Sequence, residues 1–237
     1  MAFTSFRFIV FLVLAAAAYF LTPKRCRWVT LFVANYVFYF ISGGRIFIYL
    51  LATTVTTYLA TVKIGDMAAK NKIAFNEAKA ELDKEGKKAW KAAFAKKKKR
   101  ILIPTLLFNF GILAVLKYSG FVTENLNLLF AKIGIGTELP VFRFLLPLGI
   151  SFYTFQSMGY LIDVYREKQE PERNFCKLAL FISFFPQIVQ GPISRFGTLA
   201  EQLFRANEFS YTRIKFGVQL MLWGAFKKMV IADRAAV

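Results

Sequence analysis

Histidine is absent from all 237 residues, so no imidazole within this sequence can serve as a base or a metal ligand. Cysteine is almost as scarce. Cys26 and Cys176 stand far apart with no metal-ligand spacing, which implies neither a disulfide framework nor a zinc site. Acidic side chains are also few, 14 against 32 Lys and Arg. The sequence has no internal repeat and no Pro/Gly/Ser linker that would divide it, so it reads as one domain over residues 1–237, with no separate soluble domain.

Apolar residues make up 57% of the chain, and 28 residues are Phe. A soluble domain of this length needs an alternating polar surface, and long stretches here have none, so hydropathy places the chain in lipid. With about 20 residues per crossing, the length allows roughly six to eight crossings plus loops. The net charge of +18 is concentrated: residues 63–100 hold 13 Lys/Arg against five Asp/Glu, a net of +8 between apolar runs. That is the pattern of a cytoplasmic loop in a membrane protein. Nucleic acid is not the expected partner, because no basic–aromatic module accompanies the charge.

The first apolar run, Phe8 to Leu21, precedes Lys24, Arg25 and Arg27, a charge order that suits a retained helix with its N-terminus outside. Further runs are Trp28 to Ile41, Ile46 to Val62 with Thr53, Thr54, Thr56 and Thr57, and Ile101 to Leu116. Lys24–Arg27 and the +8 loop then share the cytoplasmic side. Asn76 to Lys99 reads as a solvated charged helix with spaced pairs such as Asp83–Lys87. Its Trp90 and Phe94 are placed to reach the headgroup region. Phe121 to Leu139 reads as a loop with an interfacial or re-entrant helix. Apolar character returns at Phe142–Ile162, Phe175–Val189 and Phe216–Ile231. The expected fold is all-α, a polytopic transmembrane protein with about seven membrane helices and re-entrant or broken segments.

Polar residues inside an apolar span are expensive and mark function or packing. With Pro147 in the first helical turn, Gly149, Tyr153, Gln156, Tyr160 and Asp163 recur at steps of four and three, one stripe that must face protein or water. Interhelical bonding is one reading of each residue and a lined cavity is the other. A second constellation runs from Phe184 to Arg195, where Pro186 and Pro192 break the helix and Gln187, Gln190, Ser194 and Arg195 cluster. An ordinary Gly191-Pro192 helix end is the alternative there.

The segments LPLGISFYTFQSMGYLIDVYR (Leu146–Arg166), FFPQIVQGPISRF (Phe184–Phe196) and GAFKKMVIADR (Gly224–Arg234) occur in order. They closely resemble the bacterial membrane-bound O-acyltransferases of the alginate O-acetyltransferase type, and the chain resembles the N-terminal portion of that domain. The resemblance implies transfer of an acyl group, usually acetyl, from a cytoplasmic donor such as acetyl-CoA or another acyl thioester to an exported polysaccharide. It further implies an extracytoplasmic acetyltransferase partner. The family's catalytic histidine sits in a tunnel, downstream of the Lys-Lys stretch. Since none is present here, no catalytic residue is expected before Val237, and the chain reads as truncated ahead of it. Tyr153, Gln156, Tyr160, Asp163, Gln187, Gln190, Ser194 and Arg195 are the expected tunnel lining. A transporter or flippase built on the broken helix, and an inactive structural membrane subunit, are the competing functions.

Overall fold

A computed structural model of the chain describes residues 5–44, 47–79, 82–134, 139–141, 144–188 and 191–235. Among the described residues the only regular secondary structure is helix. Phe6–Leu21 is α1, Arg27–Gly43 α2, Phe47–Ala78 α3, Lys84–Ile133 α4, Ile150–Tyr165 α5, Phe175–Ser183 α6, Phe185–Ile188 α7, Phe196–Phe204 α8 and Tyr211–Phe226 α9, which runs on as a π-helical segment Lys227–Ala232. Contacts divide the chain into two units, residues 32–203 and the terminal stretches 1–31 with 204–237.

In the larger unit α3 and α4 are the two described helices long and apolar enough to cross a membrane. Their 32 and 50 residues extend about 48 and 75 Å, well beyond a bilayer core of about 30 Å. The surplus forms an antiparallel helical hairpin over most of residues 63–100, the basic loop in which the sequence suggests a charged helix over Asn76–Lys99; the helix is there from Lys84, and α3 also extends to Ala78. Asp83 starts its second arm as an N-cap, its carboxylate accepting from the Gly86 N–H at 2.6 Å. This capping role is the one the structure shows for Asp83, expected from its spacing to pair with Lys87. Trp90 turns toward the opposite arm: its indole N–H donates to Asn71 Oδ1 at 3.0 Å and its ring meets Phe75.

Pro104 lies inside α4 without ending it. The carbonyl it leaves without a donor belongs to Arg100, which is exposed at the edge of the basic run, where water replaces the lost bond. Phe121 to Ile133 continues α4 and is not a re-entrant element. No strong breaker precedes Gly134, whose left-handed φ of 81° ends the helix. On the exposed flank of α4 stand Leu107, Phe108, Val115 and Phe121, the surface expected against lipid. The inward flank carries Leu102, Asn109, Leu113 and Leu116. Asn109 Nδ2 donates to Thr56 Oγ1 of α3 at 3.1 Å. Thr54 and Thr61 donate to Leu50 and Thr57 carbonyls of their own helix at 2.8 Å.

The loop after α5 clasps the hairpin at its root. Gly65 admits the Pro171 ring where any Cβ would collide with it, and Arg173 pairs with Asp66 at 2.7 Å. Lys98 lies buried among exposed Lys96, Lys97 and Lys99. Its ammonium donates to the Tyr165 carbonyl at 3.0 Å and to Glu167 Oε1 at 2.5 Å, with the Phe94 and Tyr165 rings beside it. A cation at the C-terminal end of α5 is favourably placed.

In the terminal unit Arg27 lies over the Tyr19 and Phe20 rings and donates to the Asn207 carbonyl. Lys24 pairs with Glu208 at 2.6 Å, and this bond holds the exposed Glu208 carboxyl below the usual range. That contribution is present above the ordinary carboxylate pKa and is lost as pH falls through the lowered one.

The clasp makes neighbouring lysines unequal. Replacing Lys98 by Met is expected to lower unfolding free energy by about 1–3 kcal/mol, the scale of charged hydrogen bonds. Lys97→Met should stay within about 0.5 kcal/mol. Denaturant unfolding of the detergent-solubilised protein checks both, and equal losses would remove the distinction.

Candidate functional site

The two polar constellations meet in the larger unit, at an interrupted helix. α6 stops at Ser183, Phe184 leaves helical geometry, and α7 resumes at Phe185. The break separates a backbone pair, because the Phe185 N–H would otherwise donate to the Phe181 carbonyl one turn back. Each half finds another partner. Asn35 Oδ1, from α2, accepts from the Phe185 N–H at 2.7 Å, and Gln156 Nε2, from α5, donates to the Phe181 carbonyl at 2.9 Å. Both side chains are buried. Pro186 has no N–H to offer the Ile182 carbonyl, so the sequence itself prevents the ladder from closing here.

Gly149 fixes the approach of α5 to this break. It is the N-cap of α5 with φ 70°, and a Cβ there would overlap the Ile188 side chain. The helix therefore begins at Ile150, Gly149 is not on its face, and Pro147 precedes the cap, outside the first turn. That part of the expected stripe is corrected. The turn is closed by the Ile150 N–H donating to the Pro147 carbonyl.

The remaining stripe residues have different surroundings. Tyr153 is fully buried, and its hydroxyl has no hydrogen-bond partner. Gln156 holds the Phe181 carbonyl. Tyr160 accepts from the Glu172 N–H at 2.7 Å and stacks near Phe181 and Phe196. Asp163 is half-buried at the clasped end of α5. Gln187 donates through Nε2 to Ser194 Oγ at 3.0 Å, while its Oε1 is buried without a donor. Arg195 is exposed beside them at the start of α8. Gln190 lies outside the described residues.

Sequence reasoning passed over the contribution of α2. Asn35, Tyr36 and Tyr39 lie on it, and the signal was available as an amide and two phenols inside the Trp28–Ile41 run. The Tyr36 and Tyr39 hydroxyls are buried without partners, as are Ser183 Oγ and Thr57 Oγ1. Phe38 packs on Phe185 with ring centroids 5.0 Å apart. The larger unit thus holds several buried phenol and hydroxyl groups without a protein partner, Ser183 among them at the break itself. Among the described residues no group of three or more His, Cys, Asp or Glu is placed to hold a metal.

Searches against known proteins find relatives along the whole chain. The chain is 33% identical over 241 residues to the probable alginate O-acetylase of Azotobacter vinelandii, with all of the chain and 42% of that relative aligned. It is 32% identical to the one from Pseudomonas aeruginosa, with all of the chain and 41% of the relative aligned. This chain is a homologue of the alginate O-acetylases. The peptidoglycan O-acetyltransferase of Helicobacter pylori is 32% identical over 161 residues, 57% of the chain and 30% of the relative. The chain spans about two-fifths of the length of these alginate O-acetylases. No family model matches it, and no solved structure does.

Two substitutions separate a bond from a spare hydroxyl. Gln156→Leu leaves the Phe181 carbonyl without its donor and should cost about 1–3 kcal/mol. Tyr153→Phe removes a hydroxyl that bonds to nothing and should be neutral or slightly stabilising. Thermal unfolding in detergent reads both, and a loss above about 1 kcal/mol for Tyr153→Phe would reveal a partner for that hydroxyl.

Proposed function

We propose that this chain is part of a multi-pass O-acetyltransferase of the bacterial inner membrane that acetylates an exported polysaccharide. The observation that carries the reading is the similarity of the whole chain to alginate O-acetylases. About seven crossings are proposed, with α3 and α4 among them, and residues 63–100 on the cytoplasmic side.

The reaction joins an acceptor hydroxyl oxygen to the acyl carbon of a cytoplasmic thioester such as acetyl-CoA. The carbon–sulfur bond breaks, and the hydroxyl proton passes through a base to the departing thiolate. The base is proposed to be a histidine in the portion of the relatives that this chain does not cover. Charge develops on the carbonyl oxygen in the tetrahedral state, and donors in a dry setting stabilise it or guide the acyl group toward it. Tyr153, Gln187 and Ser194 are proposed to line that route, together with Tyr39 of α2. Gln156, Tyr160 and Asp163 shape its wall, and Arg195 sits at its margin. An extracytoplasmic acetyltransferase is the proposed partner that takes the acetyl group onward.

The test uses vesicles holding the complete protein, radiolabelled acetyl-CoA on the cytoplasmic side and alginate on the other. Acetylated alginate is the expected product. The double change Tyr39→Phe, Tyr153→Phe should slow it about tenfold, one hydrogen bond's worth, with expression and unfolding temperature retained. Polysaccharide crossing the bilayer without becoming acetylated would replace this reading with transport.

A further inference from the structure

The far part of the α3–α4 hairpin carries a feature that acyl transfer does not use. At about 100° per residue, Lys84, Lys87, Lys88 and Lys91 of α4 fall within one sector of about 100°. Lys84, Lys88 and Lys91 are exposed, and Lys87 is half-buried. Lys98 falls in the same sector, and there the face is covered, because Lys98 is bonded to the end of α5 and to Glu167. Two turns earlier the same face continues past the clasp loop. One edge of the stripe borders α3, where Trp90 is held by Asn71 and Phe75 and Lys91 lies over the Phe75 ring. Among the described residues, Glu85 lies outside the sector and the Asp83 carboxylate is engaged in capping Gly86.

Three sources of negative charge compete for such a stripe, and geometry separates them. Anionic lipid is closest to Lys96, Lys97, Lys99 and Arg100, at the edge of the apolar part of α4. Measured along the helix from Arg100, Lys91 is about 14 Å away and Lys84 about 24 Å. Both distances exceed the screening length of about 8 Å in physiological salt. A small phosphate compound needs convergent donors in a concavity, whereas these four side chains line a convex helix face over about 10 Å. An extended acidic surface matches the stripe in shape and sign.

We propose that the Lys84–Lys91 stripe docks the acidic face of a soluble cytoplasmic protein, seated above the loop that follows α5. The clasp makes that position consequential: a protein bound there rests on the loop tied to α5 through Lys98, Glu167 and the Tyr165 carbonyl. The surface does not depend on acetyl transfer, but its cytoplasmic partner rests on the proposed placement of residues 63–100 on the cytoplasmic side.

The probe is a fluorescent poly-L-glutamate peptide, titrated onto the full chain in nanodiscs of neutral lipid. Reversal of the stripe (K84E, K87E, K88E and K91E together) is expected to weaken binding at least tenfold. Reversal at the root (K96E, K97E and K99E) should change it less than twofold. Because Lys91 lies near the Phe75 ring, a second variant keeps it: K84Q with K87Q and K88Q should still weaken binding several-fold with an unchanged unfolding curve. Equal losses for root and stripe would overturn the proposal, as general attraction to a basic protein. Displacement of the peptide by micromolar inorganic triphosphate would overturn it in favour of a small phosphate ligand. Loss of the stripe's effect in phosphatidylglycerol nanodiscs would overturn it in favour of lipid.

Discussion

A backbone ladder cut inside an apolar helix sets the terms for the larger unit. Helix interruption strands an N–H and a C=O, and in a medium without water each costs several kcal/mol if left alone. Here the stranded pair is Phe185 N–H and Phe181 C=O, and the chain answers with two amides from two other helices, Asn35 and Gln156. Those bonds draw α2 and α5 to the break. Gly149 then allows Ile188 to approach the cap of α5, and Phe38 packs on Phe185. Pro186 makes the interruption permanent, and the amides make it tolerable.

The same economy explains why polar residues in this chain have unequal roles. Gln156 and Tyr160, which the sequence offers as lining, are engaged with backbone groups and act as interhelical ties. Tyr39, Tyr153 and Ser183 have buried hydroxyls and no protein partner. A group already bonded contributes to the scaffold, whereas an uncommitted donor beside a scaffolded break can bind a passing oxygen. The proposed function rests on homology to the alginate O-acetylases along the whole chain, and that contrast only says which side chains remain available to a substrate.

Much of the fold was legible because lipid solvent simplifies the code. Apolar runs marked the helices, and Lys63–Arg100 marked the basic hairpin. What escaped was continuity and pairing. Thr-rich α3 and Lys-rich α4 run on as helix through polar sequence, because Ala, Lys and Glu favour helix whether or not lipid surrounds them. Phe121–Ile133 looked like a loop because its apolar residues are diluted, yet nothing before Gly134 stops the helix. At the site, the stripe on α5 and the Phe184–Arg195 break were visible as polar groups in apolar surroundings. The identity of their partners was not, since Asn35 lies 150 residues from Phe185 and no local pattern records so distant a bond.

The most direct trial of this account is acetyl transfer to alginate by the complete protein carrying Asn35→Leu, read beside Asn35→Asp. Leucine removes the acceptor for the Phe185 N–H, and transfer is expected to fall at least tenfold while the protein still inserts and expresses. Aspartate retains an acceptor oxygen and should restore a substantial part of the rate. Transfer at the unaltered rate with leucine at position 35 would contradict the claim that the capped break organises the site.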